Sequence, residues 1–307
     1  MHHYLLNIAG LDISVVLDQG LANRLPPDIY AEFLRPFPGE DDHTAIRLRI
    51  STEPFTPPPA TTLFKAADAW TLSESGDRYY IQWAGRPGDP HPLWTATVDR
   101  AFTRIKVNYP PPDHVPPGID PEQVIMSLYP MDQLLLMHIL VNHHGLILHG
   151  AGGTIKTRGV IFAGPSGAGK STLARLLSTS PGHELFSDDR MAVRQLDGRW
   201  QAHGTPWPGE AGIARNRNID LAAVVFLRQA AQPSLRRLPP DLALTRLLPV
   251  GAIPWHGRGW IDKGLAVCDD LIRDIPMYEF GFSLDRDATV AAVADLVAGL
   301  GNGLGDG

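Results

Sequence analysis

The sequence contains a single cysteine, Cys268, among 307 residues. An internal disulfide framework is therefore excluded, and one thiol fits a reducing compartment. Basic charge is also short: 27 Lys and Arg face 33 Asp and Glu, for a net charge of −6. That balance argues against a nucleic-acid partner, because neutralising backbone phosphates needs surplus cations. Long apolar runs are missing. A stretch such as Leu134 to Met137 is far shorter than the ~20 apolar residues of a membrane-spanning helix. The first twenty residues carry Asp12 and Asp18 and lack a basic start, so no secretory signal is read there. These absences together predict a soluble, cytoplasmic protein with neither membrane nor nucleic acid as partner. What is present is 44% apolar and 20% charged residues, the composition of a core-forming globular chain, with a length that suits one large or two ordinary domains.

The first ~110 residues read as β-rich. From His43 to Ile50 the pattern alternates, with Ile46, Leu48 and Ile50 on one face. Tyr79 to Trp83 follows the turn signal Gly76-Asp77. Trp94, Ala96 and Val98 alternate, as do Thr103, Ile105, Val107 and Tyr109, which predicts hairpins packed as a small sheet. The Pro-rich stretch from Pro110 to Pro117 can be neither helix nor inner strand. It marks a stiff connector and a boundary: a β-rich domain over 1–110, a linker over 111–127, a second domain over 128–300 and a Gly-rich disordered tail over 301–307. In the second domain a helix from Pro130 to Gly145 leads into the strand Leu146-Ile147-Leu148. Asp197-Gly198 predicts a hairpin, Leu221 to Leu227 a buried strand, Tyr278 to Ser283 a late strand, and Val290 to Leu300 a terminal helix.

Between these elements lies Gly164-Pro165-Ser166-Gly167-Ala168-Gly169-Lys170-Ser171-Thr172, a match to G-x-x-x-x-G-K-[ST]. The apolar run Gly159 to Ala163 precedes it, and Leu173, Leu176 and Leu177 follow at helical spacing. A strand, a glycine loop and a helix N-terminus place backbone N–H groups and the positive end of a helix dipole against phosphate. The motif predicts ATP and Mg²⁺ as cofactors: Lys170 reaches the β- and γ-phosphates, and the Ser171 hydroxyl sits on the metal.

A phosphate loop needs a carboxylate near the metal. Ser187-Asp188-Asp189-Arg190 arrives 18 and 19 residues after Lys170, behind the apolar step Leu185-Phe186. Two adjacent acids allow two roles, one binding Mg²⁺ and the other taking a proton from a hydroxyl; a solvated turn is the plain alternative. Leu221 to Leu227, the other candidate for an acidic strand end, runs into Arg228 with no carboxylate, which disfavours an ordinary ATPase or GTPase layout.

Leu148-His149-Gly150, the loop Gly164 to Thr172 and Ser187-Asp188-Asp189 together resemble the catalytic core of HPr serine kinase/phosphorylase, a fold similar to ATP-dependent phosphoenolpyruvate carboxykinase. Gly204 to Glu210, with Tyr129 to Gln133 upstream, is closer to the divergent branch that includes ScmC of SynChlorMet cassettes and the kinases of lasso-peptide precursors. The resemblance covers about residues 128–285. It implies an α/β fold, a P-loop kinase core of HPr kinase/PEP carboxykinase type, preceded by the small β-rich N-terminal domain. It also implies a role for each matched residue. Asp188 is the general base, Asp189 orients phosphate, metal or both, Glu210 helps hold the metal, and His149 lies close to the reacting phosphate. A homo-oligomer is a further expectation. The Glu-x-Arg-Gly-x-Gly signature of HPr kinases does not follow Glu210, where the chain reads Ala211-Gly212-Ile213-Ala214-Arg215. HPr as acceptor, and reverse phosphorolysis, are therefore outside what the resemblance carries.

On residues alone, His149 also reads as a core histidine at a strand end, Glu210 as part of a solvated turn between glycines, and Trp207 as packing. Arg215, Arg217 and Arg258 are candidates to neutralise transition-state charge. His143-His144 lacks a partner at metal-ligand spacing. The expected activity is ATP-dependent transfer of the γ-phosphate to a serine or other hydroxyl of a peptide or small protein, with a ribosomal peptide precursor as one such acceptor. A small-molecule phosphotransferase and a non-catalytic ATP-sensing module stand beside it.

Overall fold

A computed structural model describes residues 2–18, 21, 28–39, 44–67, 69–83, 92–109, 130–283 and 285–301. The proposed linker 111–127 and tail positions 302–307 lie outside the described residues, as does His43. The chain divides into two compact units. The first comprises Met1–Asn7, Leu11–Ile139 and Trp255–Arg258; the second comprises Ile8–Gly10, Leu140–Pro254 and Gly259–Gly307.

The first unit is built on a nine-stranded mixed sheet. In chain order its strands are β1 (His2–Ile8), β2 (Leu11–Leu17), β3 (Leu34–Arg35), β4 (Ile46–Ser51), β5 (Thr61–Ala66), β6 (Trp70–Ser75), β7 (Arg78–Trp83), β8 (Trp94–Asp99) and β9 (Arg104–Asn108). Their order across the sheet is β3-β1-β2-β4-β9-β8-β7-β6-β5. The expected alternation over Ile46, Leu48 and Ile50 is observed, with all three buried. The antiparallel run β7-β8-β9 is the expected hairpin array; β6 and β5 extend it, with β6 turned into β7 at Gly76 with φ of 60°. Strands β1, β2, β5 and β6 were not read from the sequence. Nor were the parallel pairings of β2 with β4 and of β4 with β9, which make this sheet larger and more mixed than a set of hairpins. Parallel neighbours are joined by long connections, and no local turn signal announces them.

Helix α1 (Met131–Asn142) runs out of the first unit's residues into those of the second. The second unit holds another nine-stranded sheet, made of β10 (Gly145–Ile155), β11 (Arg158–Ala163), β12 (His183–Ser187), β13 (Arg190–Leu196), β14 (Arg199–Gly204), β15 (Asn218–Gln229), β16 (Ser234–Arg237), β17 (Gly251–Ala252) and β18 (Met277–Phe282). Its helices are α2 (Lys170–Ser178), α3 (Pro240–Leu247), α4 (Arg258–Asp274) and α5 (Arg286–Gly301). The Asp197-Gly198 hairpin joins β13 to β14 with φ of 49° and 76°, both positive as a two-residue turn of this kind demands.

Strand β10 organises this unit. Its first half, Gly145 to His149, pairs with β13; its second half, Gly150 to Ile155, pairs with β11 and β12. Strand β11 then lies parallel to β15, and β15 parallel to β18. The circuit β10-β11-β15-β14-β13 closes on itself. Its core is apolar: Val160 and Phe162 of β11, Val225 and Leu227 of β15 and Phe280 and Phe282 of β18 pack with Leu173 and Leu177 of α2 and with Val293, Leu296 and Leu300 of α5. Burying that many large side chains at roughly 1.5–3 kcal/mol each fixes the strand ends from which the site is built.

Candidate active site

The loop after β11 turns from strand to helix as its glycines require. Gly169 caps α2 with φ of 101°, a conformation that costs other residues roughly 1–2 kcal/mol. A Cβ there would also sit 2.1 Å from Cζ of Phe282. Only glycine fits, and the fit brings the β18 aromatic ring against the loop. Helix α2 begins at Lys170, so the N–H groups of its first turn and the dipole's positive end face the space above the loop. Lys170 is buried, and its Nζ donates to the carbonyls of Gly164 and Pro165, each at 2.9 Å. Burial lowers its pKa below the usual lysine range, and the Asp189 charge works against that. From the far side, Gln229 at the end of β15 donates Nε2–H to the Gly167 carbonyl at 3.0 Å.

The acidic pair comes next, on the turn between β12 and β13. Ser187 Oγ accepts the backbone N–H groups of Asp189 and Arg190 at 3.3 and 3.2 Å, which folds the turn. The two neighbouring carboxylates then part company. Asp189 faces the cavity, and its Oδ1 lies 3.1 Å from His149 Nε2. Arg190 Nη1 is 3.4 Å from its other oxygen. The His149 hydrogen bond, with Arg190 and Lys170 adding charge, holds the Asp189 carboxyl below its ordinary value of 3.8 despite partial burial. Asp188 points the other way and is 1% exposed. Its Oδ1 accepts N–H bonds from Gly209 at 2.8 Å and Ile213 at 3.1 Å, and its Oδ2 accepts one from Ala211 at 2.6 Å. A Cβ on Gly209 would lie 2.8 Å from that carboxylate, so the glycine is what lets the segment close over it.

Two backbone bonds align these parts. His149 carbonyl accepts the N–H of Gly164, the first loop residue, at 3.2 Å; Gly150 N–H donates to the Asp189 carbonyl at 2.9 Å. The step at which β10 passes from one partner set to the other thus touches both the phosphate-type loop and the acidic turn.

The result is a cavity of about 850 Å³ lined by His149, Ser166 to Gly167, Gly169 to Thr172, Asp189, Gly209, Glu210, Gln229 to Ala231, Phe282 and Ser283. Of the sequence candidates, the structure gathers His149, Lys170, Ser171, Asp189 and Glu210 on its walls. It does not bring Asp188 there. Glu210 is 76% exposed and lies 3.5 Å from Arg175 of α2. Arg217 pairs with Glu184 at 3.8 Å, Arg215 is held through its backbone N–H on the Phe186 carbonyl, and Arg258 is counted with the first unit. Trp207 is buried, as packing predicts. Sequence reading missed Arg190, Gln229, Phe282 and Ser283. Only Arg190 had a signal, its place directly after the acidic pair; the others reach the cavity through parallel pairing.

Among the described residues no group of three or more His, Cys, Asp or Glu is placed to hold a metal, and no helix is long and apolar enough to cross a membrane.

A family model described as "SynChlorMet cassette protein ScmC" matches residues 119–285, more than half of the chain. The chain belongs to the ScmC family. The family match spans the glycine loop, the acidic turn and every residue lining the cavity. Among solved structures, the HPr(Ser) kinase/phosphatase from Coxiella burnetii matches at 15% identity and a TM-score of 0.29, covering 50% of this chain and 89% of that one. None of the curated proteins matches the chain.

Proposed function

We propose that the protein is an ATP-dependent kinase that transfers the γ-phosphate to a hydroxyl of a peptide or small protein. The observation that carries this reading is Asp189, a deprotonated carboxylate paired with His149 on the same cavity wall as Lys170 and Ser171. Nucleotide binding alone has no use for such a carboxylate, whereas transfer to a hydroxyl does. The resemblance of Gly204 to Glu210 and Tyr129 to Gln133 to the kinases of lasso-peptide precursors supports a peptide acceptor.

The residues fit ATP and Mg²⁺. The positive φ angles of Gly167 and Gly169 open the loop to close backbone approach, and the first turn of α2 offers N–H donors. Lys170 exchanges its loop carbonyls for β- and γ-phosphate oxygens. With few carboxylates at hand, Mg²⁺ would be held by the Ser171 hydroxyl, Glu210 and the nucleotide's own phosphates, and would supply charge neutralisation there. Asp189 takes the hydroxyl proton. His149 fixes the carboxylate's orientation by donating Nε2–H to Oδ1. Arg190 stands beside both oxygens, placed to offset negative charge as it builds. The base role therefore passes from Asp188 to its neighbour, because both Asp188 oxygens are committed to backbone N–H groups. Asp188 instead holds the segment 209–213 that carries Glu210 to the cavity mouth.

The decisive experiment incubates the protein with Mg-ATP and the peptides encoded beside its gene, and follows one added phosphoryl group by mass spectrometry. Transfer that requires Asp189 supports the reading. Tight ATP binding with no transfer to any peptide, protein or metabolite acceptor would replace it with an ATP-sensing module.

A further inference from the structure

Strand β11, which feeds the glycine loop, has unlike neighbours on its two sides. On one side lies β10, which carries His149 and pairs with β12 and β13, the strands that flank the Asp189 turn. On the other side lies β15, with β18 beyond it, and these three strands run parallel. The cavity lining divides in the same way. His149, Asp189, Gly209 and Glu210 belong to the first side, since Asp188 ties residues 209–213 to the acidic turn. Gln229, Ala230, Ala231, Phe282 and Ser283 belong to the second, at the ends of β15 and β18. The loop lies between the two.

The second side is fixed against the loop. Gln229 and Phe282 stand directly opposite each other, so their side chains share one sheet face, and both line the cavity. Ala230 N–H donates to the Phe282 carbonyl at 3.0 Å, which carries the pairing one residue past the end of β15. Gln229 holds the Gly167 carbonyl, and the Phe282 ring fills the space that a Cβ on Gly169 would need.

The two sides also differ in chemistry. The first presents an ionised carboxylate, an imidazole and a second acid. The second presents an amide, a hydroxyl, two alanines and an aromatic ring, with no ionisable side chain among its lining residues. A nucleoside triphosphate has the same asymmetry, with charge and metal along the phosphates and a flat, weakly polar base at the far end. Its direction follows from the loop. The γ-phosphate must lie toward Asp189 for a hydroxyl activated there to reach it, and that sends the α-phosphate and the nucleoside toward β15 and β18. The carboxyl ends of parallel strands are also where ligands of α/β sheets collect. Ala231, exposed and ending in a methyl, leaves that wall open.

We propose that the ends of β15 and β18, at Gln229 to Ala231 and Phe282 to Ser283, form the subsite for the base and sugar of the nucleotide. The side of His149, Asp189 and Glu210 is then the entry for the acceptor. The proposal rests on the kinase reading for the direction of the phosphate chain, but binding alone tests it. Mg-ATP and Mg-tripolyphosphate, which lacks a nucleoside, are titrated calorimetrically into the full-length protein and into A231W. The indole should overlap the nucleoside and weaken Mg-ATP at least about tenfold. Mg-tripolyphosphate affinity should stay within about twofold, as for a surface substitution away from a ligand. Because a tryptophan could disturb the loop and weaken both ligands alike, the unmutated protein supplies a second measurement. Photolysed with 8-azido-ATP and digested, it should carry the label on peptides containing 229–231 or 282–283. Undiminished Mg-ATP affinity in A231W, or label on peptides containing 149 or 210, places the nucleoside elsewhere; either overturns the proposal and leaves the kinase reading standing. Failure of the unmutated protein to bind either ligand removes the phosphate site itself, and the kinase reading falls with it.

Discussion

The two nine-stranded sheets relate to the chain in opposite ways. From β5 to β9 the first unit's sheet is a ladder in which each strand lies beside the next one in sequence. In the second unit β10 pairs with β11, β12, β13 and β17, and β11 returns to lie parallel with β15, sixty residues on. A ladder leaves its loops scattered along two rims. A closed circuit brings loops from distant stretches to one place, and the cavity is lined wholly from that unit. Chemistry follows the crossing of strands, not their number.

The largest effect that would break this comparison is on Lys170. K170A should abolish phosphoryl transfer, by more than about 100-fold, and weaken Mg-ATP binding in calorimetry. Retained transfer would mean that the circuit's cavity is not where the reaction happens.

The comparison sharpens within the acidic turn. D189N should lower the transfer rate by about 10²–10⁴ while nucleotide still binds. D188N faces its new amide N–H toward one of three backbone N–H donors, so it should lower the melting temperature and loosen residues 209–213 to proteolysis. If D188N stops the reaction with fold and loop intact, and D189N does not, the roles assigned to the pair are reversed. The pH dependence gives a separate check. Asp189 is held below its ordinary value chiefly by His149, so H149A should raise its pKa and move the acid limb of the rate profile to higher pH.

In the first unit, I81A removes a fully buried side chain and should cost about 2–5 kcal/mol in denaturant unfolding. Nucleotide affinity should not change; a fall would show that the ladder contributes to the site after all.

The smallest effect is shared by both units. Burial lowers the pKa of His138 to about 3 and those of His256 and His203 to about 4. These groups stay neutral in the fold but take up protons near pH 6.5 when unfolded. Stability is therefore complete above about 6.5 and falls as pH drops from there toward 4. Replacing His203 with Gln should flatten part of that slope in thermal melts.

What could be read from the sequence follows the same division. The glycine loop is legible because its chemistry is contiguous: Gly167, Gly169, Lys170 and Ser171 carry their meaning at fixed spacing. The Asp197-Gly198 hairpin and the alternating strands β8 and β9 are legible for the same reason. Helix α4 was missed although Trp260, Gly264, Val267, Cys268 and Leu271 bury at helical spacing, because its polar face breaks the run into fragments. Gln229 and Phe282 were beyond reach, since their places depend on the register of β15 against β18. The acidic pair shows the limit most clearly. Its position announced a site, but two identical side chains in succession cannot say which turns outward. The N–H groups of Gly209, Ala211 and Ile213, more than twenty residues away, make that choice.

The junction at His149 and Gly150 has a consequence for tolerance to change. The one peptide unit between them, through its His149 carbonyl and its Gly150 N–H, sets the loop's first glycine and the acidic turn against a common datum, so the gap between loop and turn is measured by a single peptide rather than by flexible side chains. Surface loops elsewhere can gain or lose residues without moving that gauge. One residue inserted between 149 and 150 would shift the two halves of the site out of step, however faithfully every side chain named above were kept.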